Sequence, residues 1–309
     1  MAGQALTDSK GESKDGRIPT AMKTLFHGLA LLVLHVHPAT AQQNLNDLPR
    51  DLIVPAAHAG EPAAGQRVLA TTAGWAGSEV HHTLYLPRDW TAQKHWPVIV
   101  EYPGNGGFSN ALGDTSDGSV EGCVLGYGLS AGEGFIWISM PFIETSAEGQ
   151  KRNAPKWWGS VEETQRYTLA TVCDVCQRFS GDARHVVLAG FSRGAIACNY
   201  IGLHDDEISA LWCAFFCHSH YDGVKENWGY AGADRASALL RLKRLDARPQ
   251  WISHEGSTAA TESWLREAAV PGNFTFESLP FANHSAAWTL CNLPLRTKAR
   301  AWLKAAVAP

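Results

Sequence analysis

Short apolar runs, each stopped by turn residues, recur along this chain with amphipathic stretches between them. Residues 96–102 read Trp-Pro-Val-Ile-Val-Glu-Tyr and halt at Pro103-Gly104-Asn105-Gly106-Gly107. Residues 135–140 end at Pro141, 185–189 carry Val186-Val187-Leu188-Ala189, and 210–217 read Ala-Leu-Trp-Cys-Ala-Phe-Phe-Cys. Segments 80–86, 249–254 and 274–279 complete the series. Apolar runs of this length bounded by Gly and Pro fit strands buried on both faces. Between them, 164–179, 194–203, 235–245, 262–269 and 295–307 read as helices, and Leu239, Leu240, Leu242 and Leu245 mark the apolar face of one. Strands alternating with helices predict an α/β domain with a mostly parallel, doubly wound sheet flanked by helices.

The start of the chain has a different character. Residues 1–21 are polar and precede a second methionine, so they read as an upstream extension. Met22-Lys23, an apolar run over 25–36 and then Ala39-Thr40-Ala41 form a secretory signal peptide over 22–41, cut before Gln42. The run is shorter than the ~20 residues a spanning helix needs, so no membrane span is expected. Residues 42–66, rich in Ala, Pro and Asn, read as an arm without regular structure, and 67–309 suits one domain.

Export implies an extracellular or periplasmic location and permits disulfides among the seven cysteines, though no pairing follows from spacing. Cys173 and Cys176 fall inside a helical stretch, where a redox role is not expected and helix geometry disfavours a bridge. A net charge of −4 with no basic block argues against nucleic acid as a partner.

The chemistry centres on Gly190-Phe191-Ser192-Arg193-Gly194, set between a buried strand and a helix. In that context a serine sits on a sharp turn, its hydroxyl exposed over the sheet edge, and the glycines admit close backbone approach. With Tyr102-Pro103-Gly104-Asn105-Gly106-Gly107 after an early strand, carboxylates after later strands, and His284 ahead of Trp288 and a closing helix, the order resembles the α/β-hydrolase superfamily. The likeness covers nearly all of 67–309 and implies an α/β-hydrolase fold. Within it, the chain is most similar to secreted esterases related to polyhydroxybutyrate depolymerases and to feruloyl or acetylxylan esterases.

The resemblance implies Ser192 as nucleophile and His284 as base, with oxyanion donors from the backbone N–H groups of Arg193 and Asn105. The Arg193 side chain is expected at the surface or in a salt bridge. For the acid, Ala259 stands where relatives usually carry aspartate. Glu255, very near a strand end, and Asp222, after the preceding strand, compete for the role; Asp222 fits slightly better. Of twelve tryptophans, Trp157, Trp158 and Trp228 fall in loops, and Trp157, Trp158 and Tyr102 are expected to meet substrate. Loops 110–133 and 144–159 would shape the cleft.

The expected activity is a secreted serine hydrolase cleaving carboxylic esters through an acyl-enzyme, with no cofactor or metal. Its expected substrate is an acylated polysaccharide or another polymeric ester. Three alternatives stay open: a serine peptidase of the same fold, a non-catalytic binding protein that has lost its acid, and a metal-dependent hydrolase. The last rests on His218-x-His220-x-Asp222, which resembles the start of a metallo-β-lactamase-type metal run but continues with Gly223 in place of histidine. Otherwise one of the two histidines should line the cleft and the other face solvent. The sequons at Asn273 and Asn283 read as chance matches.

Overall fold

The computed structural model describes residues 43–308. The upstream extension and the signal peptide lie outside the described residues. Eight strands build the main sheet: β1 Arg67–Ala70, β2 His82–Tyr85, β3 Trp96–Tyr102, β4 Ile136–Ser139, β5 Gly181–Phe191, β6 Ala214–His218, β7 Pro249–Glu255 and β8 Asn273–Leu279. Their spatial order is β1-β2-β4-β3-β5-β6-β7-β8. β1 pairs antiparallel with β2, and β2 with β4. Every other pairing is parallel.

Helices α1 Leu125–Ser130, α2 Val161–Phe179, α3 Arg193–Tyr200, α4 Asp206–Ser209, α5 Arg235–Leu242, α6 Ala259–Ala268 and α7 Pro294–Ala306 form the connections and the end of the chain. The side-chain alternation of the central strands explains the layering. Val98, Val100, Val186 and Leu188 pack in one core with Tyr167 and Val172 of α2 and Ile196 of α3. Ile99, Val187 and Ala189 face the other core, with Leu125 and Leu129 of α1 and Leu303 of α7. Both faces of β3 and β5 are therefore apolar, which is why they read as unbroken hydrophobic runs.

Helix α2 starts three residues before the expected 164 because Ser160 caps it, its Oγ accepting from Glu163 N at 3.2 Å. Helix α1, Leu-Gly-Tyr-Gly-Leu-Ser, has too much glycine to be legible from propensity. It forms because the buried Glu101 carboxylate accepts from Val124 N, Leu125 N and Gly126 N at 3.0, 3.0 and 2.8 Å. Burial pushes the Glu101 carboxyl up, against the pull of those N–H groups and of Arg67.

The arm contains one 3-10 turn, Leu45–Asp47, but it is anchored rather than loose. Asp51 takes a two-pronged ion pair from Arg296 of α7 at 2.5 and 2.7 Å, and Leu45 is buried. All seven cysteines are free, and Cys173 and Cys176 lie on α2. No helix of the described residues is long and apolar enough to cross a membrane.

Candidate active site

Strand β5 ends at Phe191 and α3 begins at Arg193, leaving Ser192 alone at the turn with φ 55° and ψ −114°. A non-glycine residue held there costs about 1–3 kcal/mol, so the surroundings must enforce it. A Cβ on Gly190 would lie 2.0 Å from Gly194 O, and one on Gly194 would lie 2.0 Å from Tyr102 O. The two flanking glycines are thus required by backbone contact. Ser192 N donates to His218 O at 2.9 Å, fastening the turn to β6.

His284, in the loop after β8, reaches Ser192 Oγ with Nε2 at 2.9 Å. Its Nδ1 lies 2.5 Å from Glu255 Oε1, at the end of β7. Burial raises the Glu255 carboxyl, but the His284 hydrogen bond and the fields of the His218, His284 and His254 imidazoles outweigh it and hold it at about 2. Ser219, at φ 88°, places its hydroxyl 2.8 Å from both Glu255 Oε1 and His284 Nδ1.

The narrow preference for Asp222 is corrected by geometry. Asp222 is buried and both its oxygens receive Arg241, at 2.8 and 3.1 Å. Burial pushes its carboxyl up to about 6 despite that arginine. The chain turns so soon after β6 that Ser219, not Asp222, meets His284.

His218 is fully buried, with Nδ1 3.0 Å from Ser253 Oγ and Nε2 accepting from Trp288 Nε1 at 3.1 Å. Burial lowers it to about 4, so it is neutral at ordinary pH. His220 is half-buried, its ring 5.2 Å from that of His284, and burial followed by the charge of His284 lowers it to about 4. Neither histidine faces open solvent as expected for one of them. Asp222 is committed to Arg241, and among the described residues no three His, Cys, Asp or Glu side chains converge as metal ligands.

The Pro103–Gly107 loop is tied to the loop before α2. Trp157 N donates to Asn105 Oδ1 at 2.8 Å and Gly106 N to Pro155 O at 2.7 Å. The Arg193 guanidinium clamps the same loop. It is buried rather than on the surface, lies over Phe142, and donates to Ala154 O at 3.2 Å and Trp157 O at 2.7 Å. Burial brings it down to about 9.

Two expected substrate contacts are core residues. Tyr102 is buried with its hydroxyl 2.6 Å from Thr168 Oγ1, and Trp158 is buried and stacked on Tyr200. Trp157 is half-buried, 5.4 Å from Trp228, whose ring is 5.5 Å from that of His220. Beside the nucleophile opens a cavity of about 660 Å³, lined by Gly104, Phe191, Ser116, Asp117, Ser285 and Arg50 among others.

No family model matches this chain, and no curated protein matches it. Solved structures do. One is the AtxE2 isopeptidase, at 17% identity and TM-score 0.51 over 78% of this chain; the match spans only 40% of the isopeptidase. Another is from a study of two fungal esterases from Rhizomucor miehei, at 14% identity and TM-score 0.52, covering 79% of this chain and 84% of that one. The chain has the α/β-hydrolase fold.

Within the α/β-hydrolase sheet, Ser192, Glu255 and His284 stand at the C-terminal ends of β5, β7 and β8, where the parallel strands aim their loops at one edge. Sequence reasoning passed over Ser219, which carries no motif. It also passed over Asp114, whose carboxylate receives His284 N at 2.9 Å. Nothing local marks Asp114; it is near His284 only in the folded chain. Asn283 was noted as a sequon, but its amide is fully buried and donates to Asn44 and Asp114, which leaves no room for a glycan.

Proposed function

We propose that this protein is an exported serine hydrolase of carboxylic esters. The observation that carries the reading is the continuous Ser192–His284–Glu255 relay, with contacts of 2.9 and 2.5 Å, mounted on a strained strand-to-helix turn. In the mechanism, His284 Nε2 takes the Ser192 proton as Oγ attacks the carbonyl carbon. Glu255 stabilises the imidazolium that forms. The tetrahedral oxyanion is received by the backbone N–H groups of Arg193, at the first turn of α3, and Asn105. His284 then protonates the leaving alcohol; in deacylation it takes a proton from water, whose oxygen attacks the acyl carbon, and returns that proton to Ser192 Oγ as the acid departs.

An ester preference is supported by the likeness to structures described as esterases. The half-buried Trp157 and Trp228 beside His220 would take the acyl group, and the cavity lined by Arg50, Ser116, Asp117 and Ser285 the hydroxyl-rich alcohol of an acylated polysaccharide or other polymeric ester. The non-catalytic alternative rested on Ala259, an exposed residue at the start of α6. Glu255 standing against His284 removes its motive.

Labelling of the mature protein with a fluorophosphonate, followed by peptide mass spectrometry, tests the proposal. The expected result is an adduct on Ser192 that is lost in His284→Ala. A folded protein that takes up no label would overturn it. Comparison of matched ester and amide substrates tests the bond preference, an amide turned over faster being the contrary result.

A further inference from the structure

The His284 loop and the N-terminal arm meet at one buried carboxylate. Asp114 is only 3% exposed, and four amide N–H groups converge on it. Asn46 Nδ2 and Asn283 Nδ2 donate to Oδ1 at 3.0 and 2.8 Å. Asn110 Nδ2 and His284 N donate to Oδ2 at 2.8 and 2.9 Å. Asn283 in turn accepts from Leu45 N at 2.7 Å and donates to Asn44 Oδ1 at 2.8 Å. Asn44 and Asn46 both donate to Leu112 O, at 3.1 and 2.9 Å. Residues 44–46, 110–114 and 283–284 are thus one knot, from which the His284 ring projects.

The tip of His284 is set by Ser192 and Glu255, yet neither contact holds its main chain. Asp114 does. Burying a carboxylate is costly unless every lone pair is used, and an asparagine would fill the same volume at lower cost. The charge has a use where two donors must be held on each oxygen: Asn46 of the arm and Asn283 on one, Asn110 and the histidine backbone on the other.

We propose that Asp114 is the positioning residue for the His284 base, and that arm residues Asn44 and Asn46 belong to the support of the active site. The inference rests on the proposed serine-hydrolase activity. It makes the first residues after the expected cleavage site part of the working enzyme rather than a dispensable leader.

The experiment compares the mature protein with Asp114→Asn and with Asn44→Ala/Asn46→Ala, using a soluble ester and the fluorophosphonate. In Asp114→Asn, whichever way the amide turns, an NH2 faces two donors, so either Asn46 and Asn283 or Asn110 and the His284 backbone lose their acceptor. Since misplacing a catalytic group by about 1 Å costs about 100-fold, kcat should fall about 10- to 100-fold with KM within about twofold. The rate of Ser192 labelling should fall in step, at a temperature where thermal unfolding shows each variant folded. The double variant keeps the carboxylate and should lose about 3- to 10-fold in the same two rates, equivalent to about one weakened hydrogen bond. Should Asp114→Asn not fold, the double variant alone decides. Unchanged kcat and labelling in the folded variants, or a change confined to KM, would sink the positioning role. Wild-type protein that does not label would instead sink the proposed function, so the two failures are distinguishable.

Discussion

Glu255 is a half-buried and Asp222 a buried carboxylate near the C-terminal edge of the sheet, and exchanging each for its amide should separate catalysis from stability. Glu255→Gln keeps a group at the 2.5 Å contact with His284 Nδ1 but removes its charge. A unit charge facing the transient imidazolium is worth about 4 kcal/mol at a separation of about 4 Å and an effective dielectric of about 20. At about 1.36 kcal/mol per factor of ten, kcat should fall about a thousandfold. Asp222→Asn instead strands Arg241, whose side chain is 9% exposed. Removing one partner of a buried pair costs about 3–5 kcal/mol. For a chain of this size that lowers Tm by about 10 °C. The assay is paired: steady-state hydrolysis of a p-nitrophenyl ester well below Tm, and thermal unfolding by circular dichroism. Glu255→Gln should lose turnover with Tm nearly intact, and Asp222→Asn the reverse. If Asp222→Asn abolished turnover in folded protein while Glu255→Gln stayed within tenfold of wild type, the assignment of the acid would be wrong.

Two further outcomes follow from buried groups. Burial holds His82 at about 3 and His218 and His220 at about 4, all below the ordinary 6.5, so each is neutral in the fold where the unfolded chain binds a proton. Their stabilising contribution is therefore complete above pH 6.5 and is lost as pH falls toward 4, by about 2 kcal/mol each at pH 5. Glu255, depressed to about 2, adds a further loss only below its ordinary 4.5. A Tm that stays flat between pH 7.5 and 4.5 would contradict this. Arg193→Met keeps an apolar stem but loses the guanidinium that lies over Phe142, and with it the bonds to Ala154 O and Trp157 O. Hydrogen bonds from a charged donor are worth about 1.5–3 kcal/mol, so the freed Trp157 loop should raise KM about tenfold. A variant whose KM is unchanged while kcat collapses would show that the side chain acts on the oxyanion directly.

The parts of the site that were legible are those a local pattern can encode. The turn at Ser192 needs glycines on both sides and apolar residues before it, and all of these lie within a few residues of one another. The central strands are buried on both faces and so were readable as plain hydrophobic runs. Strand β1, with its Arg67, and the glycine-rich α1 were missed because longer-range contacts make them. β1 is held by its pairing with β2, and α1 by a carboxylate on β3.

The acid illustrates the same boundary most sharply. β6 and β7 are parallel neighbours, with His218 opposite Ser253 in register. Residues just past their ends therefore compete for one face of His284. Chain distance favours Asp222, four residues beyond His218, over Glu255, which still belongs to its strand. What decides is invisible in the sequence: Ser219 takes the positive-φ turn next to the imidazole, and Arg241, nineteen positions on, draws Asp222 into the core. Asp222 has an arginine to neutralise it and Glu255 does not; the hydrogen bond with His284 is the chief influence that keeps Glu255 charged. A carboxylate whose only compensating charge forms during the reaction is the one suited to stabilise it.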